Sequence, residues 1–421
     1  MILLNIALLG CGTIGTGVYE LINLNKGKFE SNFTDLVTKK SSPMITKVLE
    51  RDTKKDLGDS VGVIVTDPKE ILEDDSIGIV IALMGGMDFE YEMIKACLKA
   101  GKHVVTANKA VISEYFAELL QLAKENGVVL RYEASVGGGI PIIGTLKEEM
   151  RINRVTEIKG ILNGTTNFIL SKMTEEMAGF DDTLALAQSI GYAEADPTAD
   201  IEGYDVSRKL SILSSMAYEG IIRDDDVYKR GITDIGAVDI EMTKSLGYVV
   251  KYLGHSILDG KNDVYTTVEP VLFKAASIMS NVNSEFNIIS ITGDIIGELQ
   301  FYGKGAGKDA TANAVVGDVL YILNVVGEQN LPRPLRLNRK LNNLGTGIFK
   351  GKYYLRANLD NKEALENVLS ALETVASRKT VIVNNNRVYV VTSLIAANDF
   401  NAMAEKLRET VPEFFYARIY E

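Results

Sequence analysis

The most constraining feature of this chain is an apolar run of β-forming residues that meets a glycine-rich turn with nothing between them. Ile6-Ala7-Leu8-Leu9 leads directly into Gly10-Cys11-Gly12-Thr13-Ile14-Gly15, and a helical pattern follows from Thr16 to Leu24. Each glycine has a separate task in such a strand–turn–helix unit. Gly10 serves the tight turn, Gly12 leaves the backbone open to a pyrophosphate, and Gly15 lets helix and strand pack closely. The helix N-terminus then faces the anionic phosphates. The expected dinucleotide site is Gly10, Gly12, Thr13, Ile14 and Gly15.

The pattern continues as alternating strands and helices to about residue 135. Ile45–Leu49, Val61–Val65, Ile77–Leu83, His103–Thr106 and Val128–Tyr132 read as strands, with helical patterns including Phe89–Ala100 and Lys109–Glu125 between them. Asp67-Pro68 opens a short helix. This order predicts a Rossmann-type, doubly wound parallel sheet. Glu133-Ala134-Ser135-Val136-Gly137-Gly138-Gly139-Ile140-Pro141 breaks the rhythm, since three glycines and a proline do not sit inside an element. A central α/β domain with an open sheet is expected over 136–302. Its helices fall near 140–151, 164–177, 181–190 and 203–219, and its strands near 155–162, 247–258, 263–273, 286–292 and 296–302. The cluster Gly303-Lys304-Gly305-Ala306-Gly307 leads into a helix over 310–326. Segment 303–335 is read as returning to the 1–135 domain. Residues 338–351 read as irregular. The tail, 352–421, reads as βαββαβ, the order of a ferredoxin-like fold.

Bulk properties exclude several classes. A chain of 421 residues is too long for one ordinary domain. A net charge of −11 argues against a general nucleic-acid binder and leaves a small molecule as the expected partner. Two cysteines, Cys11 and Cys97, make no disulfide framework, so a reducing, cytoplasmic setting is expected. Met1-Ile2-Leu3-Leu4 lacks the basic start of a signal peptide, and no apolar stretch reads as long enough to span a bilayer.

Histidine is nearly absent. His103 and His255 both lie in strand patterns and read as structural. The proton carrier is therefore sought among lysines, which act as bases when burial or a neighbouring cation lowers their pKa. Lys109 follows a strand end in Thr106-Ala107-Asn108-Lys109, and carboxyl ends of strands are where open α/β sheets bind ligands. Asp205 and Lys209 stand at i, i+4 and share a helix face. Glu194, Asp196 and Asp200 crowd the preceding loop, and a substrate ammonium would answer that negative charge.

Taken together, these motifs resemble homoserine dehydrogenase. The resemblance runs from residue 3 to about 326. It includes Gly10–Gly15, Met84-Gly85-Gly86, Thr106-Ala107-Asn108-Lys109, the glycine turn at 133–141 and Leu162-Asn163-Gly164-Thr165-Thr166-Asn167. It continues through Gly191-Tyr192-Ala193-Glu194-Ala195-Asp196-Pro197 to Asp205 and Lys209, and on to Gly303–Thr311. It implies interconversion of L-homoserine and aspartate 4-semialdehyde, with hydride passing between the substrate C4 and a nicotinamide, on the route to threonine, isoleucine and methionine. It also implies roles for individual residues. Lys209 is the proton-transferring lysine, Asp205 its carboxylate, and Lys109 the lysine facing substrate and cofactor. Glu194, Asp200, Thr165 and Tyr192 belong to the substrate pocket, and Gly307 lies near the cofactor. An amine beside a second cation gives up its proton more readily, which suits a base working near neutral pH. The resemblance further implies a monovalent cation such as sodium at Glu133 and the carbonyl oxygens of Val136, Gly138 and Ile140, and a homodimer or higher homo-oligomer through the second domain.

Cofactor choice turns on the end of the second strand, where an acidic residue suits NAD and an arginine suits NADP. The chain reads Glu50-Arg51-Asp52, with Lys54 and Lys55 beyond. Arg51 could clamp a 2′-phosphate, so NADP is favoured with NAD possible. Two departures stand out. Ala82 precedes Leu83-Met84-Gly85-Gly86 where many relatives carry glutamate, so one polar contact is expected to be missing. The tail resembles an ACT domain, but Leu359-Asp360-Asn361-Lys362 lacks the usual Pro-Gly, which leaves subunit contact at least as well supported as threonine binding. Aspartate-semialdehyde dehydrogenase is a rival reading. It needs a cysteine nucleophile with a histidine base, and Cys11 and Cys97 are badly placed for that. A non-catalytic amino-acid sensor is a rival from another class, and an intact Lys109–Asp205–Lys209 set speaks against it.

Overall fold

The computed structural model describes residues 5–25, 27, 45–52, 63–328, 331–332, 335–359, 362–376, 379–384, 386–411 and 413–420. Met1–Leu4, Lys54, Lys55, Asp360 and Asn361, on which parts of the sequence reading rest, lie outside this set. The chain forms two compact units. Unit 1 holds residues 1–154, 211–223 and 303–340, and unit 2 holds 155–210, 224–302 and 341–421.

Among the described residues, unit 1 carries a parallel sheet in the order β3-β2-β1-β4-β5-β6. The strands are β1 (Asn5–Leu9), β2 (Ile45–Leu49), β3 (Val63–Val65), β4 (Ile77–Ala82), β5 (His103–Thr106) and β6 (Leu130–Arg131). This is the Rossmann order, and the direction of progression reverses between β1 and β4. The side chains of β4 and β5 are buried almost without exception, as a sheet covered on both faces requires. Helices α1 (Thr13–Leu24), α2 (Lys69–Leu72), α3 (Asp88–Lys99), α4 (Lys109–Glu125) and α5 (Ile142–Glu149) follow along the chain.

Helix Lys308–Gly327 corrects one expectation. Its length and apolarity are those of a membrane-crossing helix, so a sufficiently long apolar stretch does exist. In the fold it is a core helix: Ala312, Val315, Val319, Ile322 and Leu323 pack with Ile6, Leu8, Val18 and Val105. Asp318 on the same helix is buried and accepts from Arg131 Nε at 2.7 Å and from the Glu133 N–H at 2.8 Å. That pairing ties β6 and the glycine turn to the helix, and a buried charge needs such a partner.

Unit 2 contains β7 (Val155–Ile161), β9 (Tyr248–Asp259), β10 (Asp263–Lys274), β11 (Phe286–Gly293) and β12 (Gly297–Lys304). Helices α6 (Gly164–Glu176), α7 (Phe180–Ser189), α8 (Thr198–Ile201), α9 (Tyr204–Ala217) and α10 (Ala237–Ser245) belong to this stretch, and the last two residues of β12 and α9's second half fall in unit 1's segments. Core helix 308–327 is therefore α11. The tail adds β14 (Lys350–Asn358), α12 (Lys362–Glu373), β15 (Lys379–Asn384), β16 (Arg387–Thr392), α13 (Ala397–Arg408) and β18 (Phe414–Tyr420), in the expected βαββαβ order. Short strands β8 (Tyr228–Lys229) and β13 (Asn342–Asn343) pair with β10, and β17 (Ile395–Ala396) pairs with β14.

The tail does not form a sheet of its own. Strand β18 pairs antiparallel with β14 and parallel with β10, giving one continuous path β12-β11-β7-β9-β10-β18-β14-β16-β15. The segment β18-β14-β16-β15 keeps the ferredoxin-like order. Buried charges cross this junction: Glu269 on β10 faces Arg418 on β18 at 3.3 Å, and Arg356 on β14 donates to Asp239 of α10 at 2.9 Å.

Burial holds His103 at the start of β5 to a pKa of about 4, and its Nδ1 accepts from the Val129 N–H at 3.0 Å. The folded value lies below the ordinary one near 6.5, so the unfolded chain binds more protons between these limits. The stabilisation is complete above about pH 6.5 and is lost as pH falls toward 4. His103→Asn keeps an acceptor and removes the titration. Denaturation of parent and variant at pH 7 and pH 5 is expected to differ by about 2 kcal/mol in the stability lost between the two pH values, with the variant losing less. Parallel losses would refute this assignment.

Candidate active site

The glycine turn after β1 is shaped by close approach. Gly10 adopts φ +83°, and a Cβ there would lie 2.8 Å from the Leu83 carbonyl oxygen in the loop after β4. A Cβ on Gly15 would lie 2.3 Å from the Gly10 carbonyl oxygen, so only glycine fits where α1 leaves the strand. Around Gly12 a Cβ would meet nothing within 4 Å. Gly12 caps α1 without a side-chain acceptor, so the amides of the first turn are not satisfied by a cap. An open, donor-rich helix start beside an unobstructed glycine is the chemistry a pyrophosphate requires. Gly307 opens α11 beside α1, where Lys308 pairs with Glu20 at 2.6 Å.

At the end of β2 the structure places Arg51 in an exposed position. Its neighbour Glu50 reaches the turn instead, with Oε1 accepting from the Cys11 N–H at 2.6 Å. Lys109 is the first residue of α4 and is half-buried. Asn108 caps that helix by accepting from the N–H groups of Ala110 and Val111, so the lysine leaves a fixed backbone.

A dense polar network lies in unit 2. Strand β7 ends at Ile161, and Asn163 caps α6 by accepting from the Thr166 N–H at 2.8 Å. Helix α9 lays Val206 and Leu210 against Gly254 of β9, which carries the neighbouring Asp205 and Lys209 stripe inward. Lys209 Nζ donates to Asp205 Oδ2 at 2.7 Å and to the Leu162 carbonyl oxygen at 2.7 Å. Asn163 Nδ2 donates to Asp205 Oδ2 at 2.8 Å and to Asp200 Oδ1 at 2.6 Å. Lys209 and Asp205 are 7% and 4% exposed, so this is a desolvated pair held by supporting hydrogen bonds to both partners. Nearby, Thr165 Oγ1 donates to the Tyr192 carbonyl oxygen at 2.6 Å. Glu194 is exposed. Asp196 is occupied with the start of α8, where the Thr198 hydroxyl and N–H hold its carboxyl below the usual range.

Glu133 has a local role. Its two carboxylate oxygens accept from the Ile143 and Gly144 N–H groups at 2.7 and 2.8 Å, at the start of α5. The Ile140 carbonyl accepts from the Ile142 N–H at 2.8 Å. Burial pushes the Glu133 carboxyl above its ordinary value, and Asp318 adds to this. Among the described residues no group of three or more His, Cys, Asp and Glu side chains gathers to hold a metal.

Comparison with known proteins finds two family matches that together span residues 10–320. The profile described as "Homoserine dehydrogenase, NAD binding domain" matches residues 10–133, and "Homoserine dehydrogenase" matches residues 141–320. A homoserine dehydrogenase of Synechocystis sp. is 40% identical over 326 residues, 76% of this chain and 73% of the relative. The chain belongs to the homoserine dehydrogenase family. A crystal structure of a homoserine dehydrogenase from Thiobacillus denitrificans matches over 99% of this chain and 98% of its own, with TM-score 0.88 and 31% identity. A hyperthermophilic archaeal homoserine dehydrogenase in complex with NADPH matches over 79% of this chain and 99% of its own, with TM-score 0.64 and 26% identity. The protein is thus an NAD(P)-dependent oxidoreductase acting on the CH–OH group of homoserine.

Two residues of these hydrogen-bond networks, one in each unit, escaped the sequence reading. Asn163 stands inside a motif already noted, and an asparagine before Gly164-Thr165-Thr166 signals a helix cap. Its second task, holding Asp200 and Asp205 together, has no local signature. Glu90, which is fully buried beside the loop after β4, reads in sequence as an ordinary acid in a first helical turn.

The two glycines of the turn make separable predictions. Gly12→Val is expected to leave thermal stability unchanged and to weaken NADPH binding by about tenfold or more, read by nucleotide fluorescence. Gly15→Ala is expected to lower the melting temperature as well. Normal nucleotide affinity in Gly12→Val would remove the turn from the binding site.

Proposed function

We infer that Lys209 is the proton carrier of the homoserine dehydrogenase reaction, with Asp205 as its anchor. An ammonium group has three donors. In unit 2, two acceptors are built for the Lys209 amine, Asp205 Oδ2 and the Leu162 carbonyl, and the third donor remains for a substrate oxygen. This observation carries the assignment. In the reducing direction the C4 carbonyl of aspartate 4-semialdehyde gains hydride at carbon and a proton at oxygen, and Lys209 delivers that proton. In the other direction the Lys209 amine takes the hydroxyl proton of homoserine as hydride leaves C4. The nicotinamide nucleotide, when bound, supplies or accepts the hydride. Asp205 is kept in place by Asn163, so the lysine is oriented from two sides.

The same proposal gives Asp200 and Glu194 the substrate ammonium, with Thr165 and Tyr192 shaping the pocket. Asp200 is already fixed by Asn163, and the Thr165 hydroxyl ties its helix start to Tyr192, which supports a preformed pocket. Lys109 faces substrate and cofactor, set at the carboxyl end of β5, and Gly307 borders the nucleotide. NADP is the favoured nucleotide through Arg51. NAD is the second reading, because the Glu50 carboxylate stands at the end of β2 against the glycine turn, where an acid serves a ribose hydroxyl.

A monovalent cation such as sodium at Glu133, Val136, Gly138 and Ile140 belongs to the proposal through its carbonyl oxygens, which suit a hard cation. The Glu133 carboxylate is committed to the start of α5, so that part of the donor set does not fit, and no step of the reaction passes through the ion. A cytoplasmic setting is supported by Cys11 and Cys97, which are both buried and form no disulfide among the described residues. A homodimer or higher homo-oligomer through the second domain completes the reading, and for the ACT-like tail subunit contact is at least as well supported as threonine binding.

Lys209→Ala is expected to lower kcat by about 10²–10⁴ while NADPH affinity changes by less than about twofold. Near-parental turnover would remove the assignment. Arg51→Ala is expected to raise KM for NADP by about tenfold and to leave NAD nearly unaffected. Equal effects on both nucleotides would move the choice to Glu50.

A further inference from the structure

Glu90 is a carboxylate with 0% exposure for which the reaction as described has no use. A surface helix packing on a sheet needs no acid on its buried side, and burying one is costly unless it is hydrogen-bonded. Burial pushes the Glu90 carboxyl above its ordinary value, while Thr106 and the Gly85 N–H work against that, joined by the Asn108 amide and the Met84 N–H.

The bonds form a closed ring. Glu90 Oε2 accepts from the Gly85 N–H at 2.7 Å, and Oε1 accepts from Thr106 Oγ1 at 2.9 Å. Thr106 Oγ1 accepts in turn from the Asn108 N–H at 3.0 Å. The Asn108 amide donates to the Gly86 carbonyl at 2.6 Å and returns the ring to the loop after β4. The next residue along the chain is Lys109. The loop after β4 also abuts the glycine turn, since a Cβ on Gly10 would meet Leu83 and Met84 within 3 Å.

We propose that Glu90 is a positioning residue for hydride transfer: it locks Gly85–Gly86 to Thr106 and Asn108, and so fixes where Lys109 leaves the backbone beside the nucleotide turn. The proposal rests on the role given above to Lys109. It also accounts for Ala82. Ala82 is the register partner of Thr106 across the parallel β4–β5 pair, so both project from the same face of the sheet. A glutamate at 82 would reach the Thr106 hydroxyl from the strand. This chain reaches it from the first turn of α3.

The test uses the full-length protein and four variants: Glu90→Ala, Glu90→Gln, the double variant Ala82→Glu with Glu90→Ala, and Lys109→Ala. Readouts are kcat and KM for homoserine, NADPH affinity by fluorescence, and melting temperature. Glu90→Ala is expected to lower kcat/KM by about tenfold or more, chiefly in kcat, because a reacting group misplaced by a fraction of an ångström loses its alignment. Glu90→Gln keeps one of the two acceptors and is expected to fall between Glu90→Ala and the parent. The double variant is expected to recover at least half of the lost activity on a logarithmic scale. Activity of Glu90→Ala within twofold of the parent, with Lys109→Ala inactive, overturns the proposal alone. An active Lys109→Ala overturns the reading on which it rests. If Glu90→Ala fails to fold, the double variant decides: recovery of fold together with turnover supports positioning, and recovery of fold without turnover reduces Glu90 to a structural residue.

Discussion

A lysine ammonium and an aspartate carboxylate buried together at 2.7 Å set the terms for unit 2. Neither charge is tolerable away from water unless its remaining bonds are made, and removing one partner of such a pair typically costs about 3–5 kcal/mol. The fold meets that demand with the Leu162 carbonyl at the end of β7 and the Asn163 amide that follows it. The end of one strand and the first turns of α6 and α9 therefore hold their places for a shared electrostatic reason. The same bonds that make the pair tolerable leave the amine oriented, with a donor to spare.

Much of this was legible along the chain, because the elements that matter carry local signals. Strand β5 and helix α4 appear where the sequence puts them, since four consecutive buried residues and an Asn-Lys helix start are both short-range features. The glycine turn and the Asp205–Lys209 spacing are likewise local. What the chain hid is long-range. Helix α10 presents Asp239, Ile240 and Thr243 to the interior, and a buried face two-thirds polar gives no apolar stripe. Asp239 tolerates that burial because it meets Arg356 and Tyr354, more than a hundred positions away. Glu90 and Asp318 are hidden for the same reason: each is an acid whose partners come from other elements.

The sheet of unit 2 shows a related limit. Its central strands and the tail each read as separate units, because strand periodicity says which residues form a strand and nothing about which edge it joins. The Glu269–Arg418 pair and the packing of the Arg230 guanidinium 3.8 Å over the Tyr416 ring mark the seam. Charged residues at such a seam specify one edge over the others available.

That seam has a kinetic consequence. Val271, Leu272 and Phe273 on β10 find their neighbours in Arg418, Ile419 and Tyr420, so this edge stays bare until the chain through residue 420 has arrived. An apolar strand edge waiting on so distant a segment is slow to close and open to capture by other chains. Refolding yield from denaturant is therefore expected to respond to how soon β18 reaches β10, and truncation before residue 414 leaves that edge of β10 uncovered.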